Sequence, residues 1–182
     1  TQAYRDFRMY RMICRSCGST KGDIVVDLGD SPPSNSYLDK EDLDKEERKY
    51  PLKLWFCEIC YLLQTVDFVS RETMFSHNYA YLSSASKSWL NHCKNYVDEI
   101  TSELQLTTKS LVVEIASNDG YLLQYFQSKQ IPCIGIEPTE STASKAREKG
   151  IQTRIEFFGT ETANELRVER GTADLLIGNN VL

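Results

Sequence analysis

Leu111-Val112-Val113-Glu114-Ile115-Ala116-Ser117-Asn118-Asp119-Gly120-Tyr121 is the stretch that decides the fold of the second half of the chain. Its apolar first half predicts a buried strand, and the apolar segment 121–128 predicts a helix. Between them lies a tight turn. Ala116 is small, and Asn118 and Gly120 tolerate left-handed backbone angles. In a parallel α/β sheet such a turn lies at the ligand crevice, where backbone N–H groups face the ligand.

The segments that follow alternate between the two kinds of regular structure. Gly150 suits the C-terminal cap of the second helix. Alternation at this spacing is typical of βαβ units and a parallel sheet, so the fold class is α/β. The predicted strands are 111–116, 133–137, 153–158 and 173–179, and the predicted helices are 121–128, 139–149 and 160–168.

A second acidic residue marks the end of the second strand of this region. Glu137 follows Glu114 by 23 residues. A carboxylate at that position can accept hydrogen bonds from both hydroxyls of a ribose, as an acidic residue about 20 residues on does in nucleotide-binding Rossmann sites. We therefore expect Glu137 to contact a nucleoside.

Four of the six cysteines fall into two C-x-x-C pairs, Cys14 with Cys17 and Cys57 with Cys60. This spacing points both sulfurs of a pair to one side, and two such pairs complete a tetrahedron around zinc. A thioredoxin-like redox site is the weaker interpretation, because neither pair follows a βαβ strand. A catalytic zinc is weaker still, because four thiolates leave no open coordination position.

The chain divides by pattern into a zinc-binding domain at 1–68, a connector at 69–106 and a partial Rossmann-like domain at 107–182. The first domain is expected to be β-rich, with short strands at 24–28, 52–56 and 61–66. Residues 39–49 include ten charged residues out of eleven. We interpret that run as a solvated loop or short helix rather than a docking surface. The connector predicts an amphipathic helix with an apolar face, formed by Trp89, Cys93, Tyr96, Val97, Ile100 and Leu104.

Composition restricts the classes of protein to which the chain could belong. The net charge of −5 argues against a nucleic-acid binder, which usually has a basic face. No apolar run approaches the length of a membrane span, and the N-terminus has no secretory pattern. We therefore expect a cytoplasmic protein with reduced thiols and no membrane partner. The oligomeric state stays open.

Taken together and in order, these motifs resemble the zinc-containing sugar C-methyltransferases, a branch of the class I S-adenosylmethionine (SAM) methyltransferases. Ala116 and Asn118 replace glycines of the general class I motif, but the S-N-D-G form is normal in this branch. The resemblance covers nearly the whole chain. It rests on Cys14-Arg15-Ser16-Cys17-Gly18, the second cysteine pair, Tyr79-x-Tyr81-x-Ser83-Ser84, Glu114 to Gly120, Gly135-Ile136-Glu137-Pro138 and Gly178-Asn179-Asn180-Val181-Leu182.

The resemblance implies roles for individual residues. The turn would wrap the methionine part of SAM with Glu114, Ala116, Ser117, Asn118 and Gly120, and Glu137 would hold the ribose. Phe157 or Phe158 would pack on the adenine, with ordinary core packing as the alternative. Asn179 or Asn180 would line the methyl-donor side. Tyr79, Tyr81 and Ser84 would close over the cofactor or the sugar, although the tyrosines could instead pack between the zinc domain and the sheet.

The resemblance also implies the reaction. The family methylates a carbon of nucleotide-linked keto-deoxysugars, by removing a proton beside the ketone so that the carbon attacks the methyl group. Its acid and base residues lie beyond the fourth strand, so no catalytic residue is expected before Leu182. We expect the chain to represent four of seven strands, to be inactive alone and to expose an apolar strand edge. The alternatives are a non-catalytic zinc-anchored binding module and an NAD-type Rossmann protein; the missing G-x-G-x-x-G counts against the latter.

Overall fold

The computed structural model describes residues 12–66, 74–75 and 81–181. The chain forms two compact units, Thr1–Met74 and Phe75–Leu182, and each is described by itself. Within the described residues, no helix is long and apolar enough to cross a membrane.

The first unit is built on a three-stranded antiparallel sheet in the order β1-β2-β3. Its strands are β1 (Gly22–Ser31), β2 (Tyr50–Cys57) and β3 (Leu63–Thr65). The predicted three short strands are confirmed, although β1 is longer than expected and shifts register twice against β2. The buried core is small and consists of Cys14, Trp55 and Cys57, so the side chains of the cysteine site form much of it.

The charged run at 39–49 is almost entirely exposed and contains a single 3-10 turn, Lys40–Asp42. Its apolar member, Leu43, is also exposed. Lys45 pairs with Asp42 at 2.6 Å, on the surface, where such pairs contribute little to stability. The interpretation as a solvated loop agrees with this geometry.

The second unit contains a four-stranded parallel sheet in the order β6-β5-β4-β7, with helices on both faces. Alternate residues of β4 point to opposite faces: Val112 packs with the first three helices and Val113 with the fourth. The predicted partial Rossmann-like sheet is confirmed. Its elements are α1 (Lys87–Glu103), β4 (Val112–Ile115), α2 (Leu123–Ser128), β5 (Cys133–Ile136), α3 (Glu140–Glu148), β6 (Thr153–Arg154), α4 (Thr160–Arg170) and β7 (Leu175–Gly178).

The connector helix forms as predicted. α1 begins after Ser86, whose hydroxyl accepts a hydrogen bond from the Trp89 backbone N–H at 3.3 Å. Cys93 and Val97 of its apolar face are buried. Leu104, which the periodicity places on the same face, follows the last helical residue and is exposed.

The prediction of a strand over 153–158 was too long, because β6 ends at Arg154. Arg154 turns its guanidinium toward the next helix and pairs with Glu165 at 2.6 Å. The Phe157 carbonyl then accepts a hydrogen bond from the Thr162 hydroxyl at 3.0 Å. Contacts with α4 therefore replace strand pairing beyond Arg154, and Phe157 and Phe158 lie in the connection that leads to α4.

Gly120 combines a left-handed backbone conformation with close packing in the second unit. Its φ is +73°, and a Cβ atom there would lie 2.3 Å from Cδ1 of buried Ile151. We predict that Gly120→Ala lowers the free energy of unfolding by about 2–4 kcal/mol, through left-handed strain and overpacking. Gly178→Ala is the control, because nothing lies within 4 Å of its Cβ position. Urea unfolding of both variants measures the effect, and equal stabilities would contradict this account of Gly120.

Candidate metal centre and cofactor turn

The structure brings the four predicted cysteine ligands together. The Sγ atoms of Cys14, Cys17, Cys57 and Cys60 all lie within 4.8 Å of one another. The closest pairs are Cys14–Cys60 at 3.4 Å and Cys17–Cys57 at 3.6 Å. A tetrahedral zinc with Zn–S bonds of about 2.3 Å requires sulfurs about 3.8 Å apart, so the arrangement fits the metal.

The two cysteine pairs lie on equivalent backbone turns. The Gly18 N–H donates to the Cys14 carbonyl, and the Tyr61 N–H donates to the Cys57 carbonyl, both at 2.9 Å. Gly18 and Tyr61 occupy matching positions, with φ of +70° and +63°. Gly18 suits its turn, as the sequence indicated. Tyr61 accepts the same strained conformation although it has a Cβ atom, and a simple glycine rule could not find it.

A buried glutamine ties the first turn to the sheet. Gln64, on β3, accepts a hydrogen bond from the Arg15 N–H at 3.0 Å and donates one to the Ile13 carbonyl at 3.2 Å. Its amide thus pairs with the backbone on both sides of Cys14, as a neighbouring strand would. Sequence analysis missed Gln64, because nothing in its local pattern separates it from an ordinary polar strand residue.

The thiols influence one another's ionisation. Hydrogen bonding to the Cys17 backbone lowers the pKa of Cys14 to about 6. The Ser19 backbone acts in the same direction on Cys17, but burial and the neighbouring thiols raise its pKa to about 12. Four adjacent thiolates repel one another unless a cation lies among them. A dication that ionises all four sulfurs satisfies this cluster.

In the second unit, the turn after β4 has three residues in the left-handed region. The φ values are +52° at Ala116, +50° at Asn118 and +73° at Gly120. Asn118 and Gly120 were expected to tolerate left-handed backbone angles, and both adopt them. Ala116 shares this conformation, which its size alone did not predict. The N–H groups of this turn bond within the protein: Ser117 donates to the Ile136 carbonyl at 3.2 Å, and Gly120 donates to the Ser117 carbonyl at 3.0 Å.

Glu137 fixes this turn to the end of β5. One carboxylate oxygen accepts the Asn118 N–H at 2.9 Å and the other accepts the Thr139 N–H at 2.8 Å. The residue is only 4% exposed. Glu137 thus has a structural role, which its 23-residue spacing from Glu114 did not suggest. Its contact with a ribose stays a prediction.

Residues 81–84 lie against the turn. The Asn118 side chain accepts the Ser83 N–H at 2.9 Å and donates to the Tyr81 carbonyl at 3.1 Å. The Ser84 hydroxyl donates to Asp119. Tyr81 and Ser84, both expected near the cofactor, therefore border the turn. Tyr79 lies outside the described residues.

Buried polar atoms without hydrogen-bond partners collect around the turn. Neither carboxylate oxygen of Glu114 forms a hydrogen bond of normal geometry among the described residues, although the Tyr121 hydroxyl lies close enough to act on it. The residue is fully buried. Burial raises the pKa of Glu114 to about 8, and a contact with the Tyr121 hydroxyl opposes the shift. Around the turn the other such atoms are Ser117 Oγ, Asp119 Oδ1 and Thr139 Oγ1, while Thr101 Oγ1 is a further one, on α1. Buried polar groups are normally satisfied, so this edge is where a polar ligand or water is required.

The remaining predicted site residues occupy different surroundings. Phe158 packs against the buried cluster of Val113, Ile134, Ile136 and Leu166, which is core packing. Phe157 makes an edge contact with Phe75 at a ring distance of 6.4 Å. The Asn179 amide donates to the Tyr121 hydroxyl at 3.1 Å, and Asn180 follows with φ of +54°. Tyr121 is thus a contact of this edge that the sequence did not single out.

The fold and the sites define an α/β protein with a four-cysteine metal centre in one unit and a tight turn after a parallel strand in the other. Residues 14–75 match a family model described as a zinc binding domain. The chain is also similar to the C-methyltransferase NovU of Streptomyces niveus, with 30% identity over 165 residues. That match covers 91% of this chain and 39% of the relative, so the chain spans well under half of the relative's length. Both findings confirm the resemblance drawn from the sequence.

We predict one zinc per chain, held by the four clustered cysteines. Changing Cys57 and Cys60 together to Ser should abolish zinc and unfold the first unit, because metal binding free energy is folding free energy in such sites. Metal analysis and circular dichroism of the purified protein measure both effects. Cys133→Ser, in the second unit, is the control and should keep its zinc. Retained zinc in the double variant would refute the ligand assignment.

We also predict that Gln64→Ala weakens zinc binding by about 10- to 100-fold, the usual effect of removing a group that orients metal ligands. The cause is the loss of both bonds to the backbone around Cys14. Competition with a chromogenic chelator measures the affinity. Thr65→Ala is the matched control, because Thr65 binds Arg15 only through its carbonyl. Equal affinities for the two variants would mean that Gln64 has no part in the metal site.

Proposed function

We propose that this chain supplies the zinc-binding and cofactor-binding parts of a SAM-dependent C-methyltransferase that acts on a nucleotide-linked keto-deoxysugar. The similarity to a C-methyltransferase supports the reaction class, because the match covers both units. The sugar substrate rests on the motif resemblance drawn above. A cytoplasmic location belongs to the same proposal, since the four thiols must stay reduced to bind zinc.

The observation that carries the choice of cofactor is the acidic character of the turn. Glu114, Asp119 and Glu137 are all buried around it, and of their oxygens Glu114 Oε1, Glu114 Oε2 and Asp119 Oδ1 form no hydrogen bond of normal geometry among the described residues. Burial raises the pKa of Glu114 to about 8, and Lys149 pairs with Asp119 at 3.1 Å. The carboxylates of Asp119 and Glu137 still disfavour the pyrophosphate of NAD, which would bring two negative charges beside them. SAM carries a sulfonium and an ammonium group against one carboxylate, so it brings net positive charge.

The residues present fit the adenosine and methionine parts of SAM. Each oxygen of Glu137 accepts one backbone N–H and keeps a lone pair for a ribose hydroxyl. The turn from Ala116 to Gly120 would lie beside the methionine part, with Ser117 between its left-handed residues. Asn179 and Asn180 follow the neighbouring strand β7, where we place the methyl-donor side. SAM supplies the methyl group, and the residues of this chain bind and orient it.

Glu137→Ala should weaken SAM binding by about 1–3 kcal/mol, because the ribose hydroxyls lose a charged acceptor in a buried site. Isothermal titration calorimetry with SAM, its demethylated product and NAD measures the binding. Glu140→Ala is the control, because Glu140 is exposed and lies three residues further along the chain. We expect wild type to bind SAM and its product but not NAD. Tighter binding of NAD, or no binding of SAM, would overturn the proposal.

The substrate is tested separately, with the complete product of the native gene. Transfer of a labelled methyl group to carbon of a nucleotide-linked keto-deoxysugar is the expected result. Binding of SAM without transfer to any such sugar would favour the alternative of a non-catalytic zinc-anchored module.

A further inference from the structure

The side chain of Asn118 is engaged by a distant part of the chain. Its carbonyl oxygen accepts the Ser83 N–H at 2.9 Å, and its amide donates to the Tyr81 carbonyl at 3.1 Å. The two contacts pair this side chain with the backbone of a segment 35 residues earlier. We call residues 81–84 the strap.

The backbone at this position needs only a residue that tolerates a positive φ. Asn118 has φ of +50°, and glycine adopts that conformation without strain. The turn would therefore keep its shape with glycine, which the general class I motif has there. Asparagine adds the two hydrogen bonds to the strap. The function of its side chain is therefore to bind the strap.

Asp119 forms a second connection between the turn and the strap. Its side chain is 2% exposed, and Oδ2 accepts from the Ser84 hydroxyl and from Lys149 at 3.1 Å. Lys149 also donates to the Asp119 carbonyl at 2.8 Å. Since Lys149 caps α3, Asp119 joins the strap, the turn and the end of that helix. A buried carboxylate is stable only with such partners, so losing Ser84 would disturb the turn itself.

We propose that Asn118 and Asp119 are positioning residues that clamp the strap to the cofactor turn, and that cofactor affinity depends on this clamp. The inference rests on the function proposed above. Ala116 and Asn118 hold left-handed angles that cost free energy. The clamp helps to hold the turn in this shape before the ligand arrives, and such preorganisation lowers the cost of binding.

Asn118→Gly is the decisive variant, because it removes the side chain and leaves the backbone free of strain. Hydrogen exchange of the Ser83 amide should accelerate at least about 10-fold, since its hydrogen-bond acceptor is gone. The Gly120 amide, which donates to the Ser117 carbonyl at 3.0 Å, should change far less. SAM should bind about 5- to 10-fold more weakly, as expected for one lost ordering contact.

Two further variants separate the clamp from general destabilisation. Asn118→Asp keeps the acceptor for Ser83 and loses the donor to Tyr81, so Ser83 protection should return and SAM affinity should recover in part. Ser84→Ala removes the bond between the strap and Asp119 and leaves the Asn118 contacts in place, and it should weaken SAM binding in the same direction as Asn118→Gly. Thermal unfolding of each variant checks that the second unit remains folded.

Unchanged Ser83 exchange in Asn118→Gly would overturn the clamp. Faster exchange with unchanged SAM affinity would overturn its effect on the cofactor. If the wild-type protein binds no SAM at all, the proposed function fails, together with the cofactor part of this inference. The exchange of Ser83 in the ligand-free protein would still decide whether the clamp exists.

Discussion

The buried carboxylate of Glu137 holds together the ligand edge of the second unit. By accepting the N–H groups of Asn118 and Thr139, it joins the turn after β4 to the turn after β5. The turn it fixes contains two strained non-glycine residues, which persist only where surrounding contacts determine them. The direction of the Asn118 side chain follows from this anchoring. An acidic residue that spacing alone assigns to a ribose is therefore also the support of the turn after β4.

The first unit has only a small apolar core among its described residues. Among its described residues the buried apolar cluster consists of Cys14, Trp55 and Cys57, of which two are cysteines of the metal centre, whereas Ile24, Val26 and Leu28 of β1 are exposed. A unit this small buries too little apolar surface to be stable by packing alone. Zinc binding compensates for this small core. Gln64 holds the first cysteine turn against the sheet. Its hydrogen bonds to Arg15 and Ile13 substitute for a strand that the unit lacks.

The parts that the sequence predicts are those that depend on local periodicity and spacing. The four parallel strands, the connector helix and the four-cysteine cluster follow from such patterns. The parts that it misses depend on partners distant in the chain. β6 stops at Arg154 because Glu165 attracts its guanidinium. Gln64 has no local signal, and Tyr61 occupies a position that usually takes glycine. No periodicity encodes such contacts, since either partner alone looks like an ordinary polar or aromatic residue.

The replacement of glycines in the turn has a physical logic that links these features. A glycine-rich turn suits a ligand that brings its own negative charge to the backbone N–H groups. Here Asp119 and two glutamates surround the turn, and Asp119 has Lys149 as its cationic partner. Glu114 avoids the cost of an unpaired buried charge by a pKa raised to about 8, so it is mostly protonated at neutral pH. Asp119 and Glu137 remain as carboxylates beside the turn, so under the proposed function a pyrophosphate would add like charge there, whereas SAM would not. The Asn118 side chain ties the turn to the strap, whereas the charge beside the turn comes from Asp119 and Glu137, so the two properties are set by different residues.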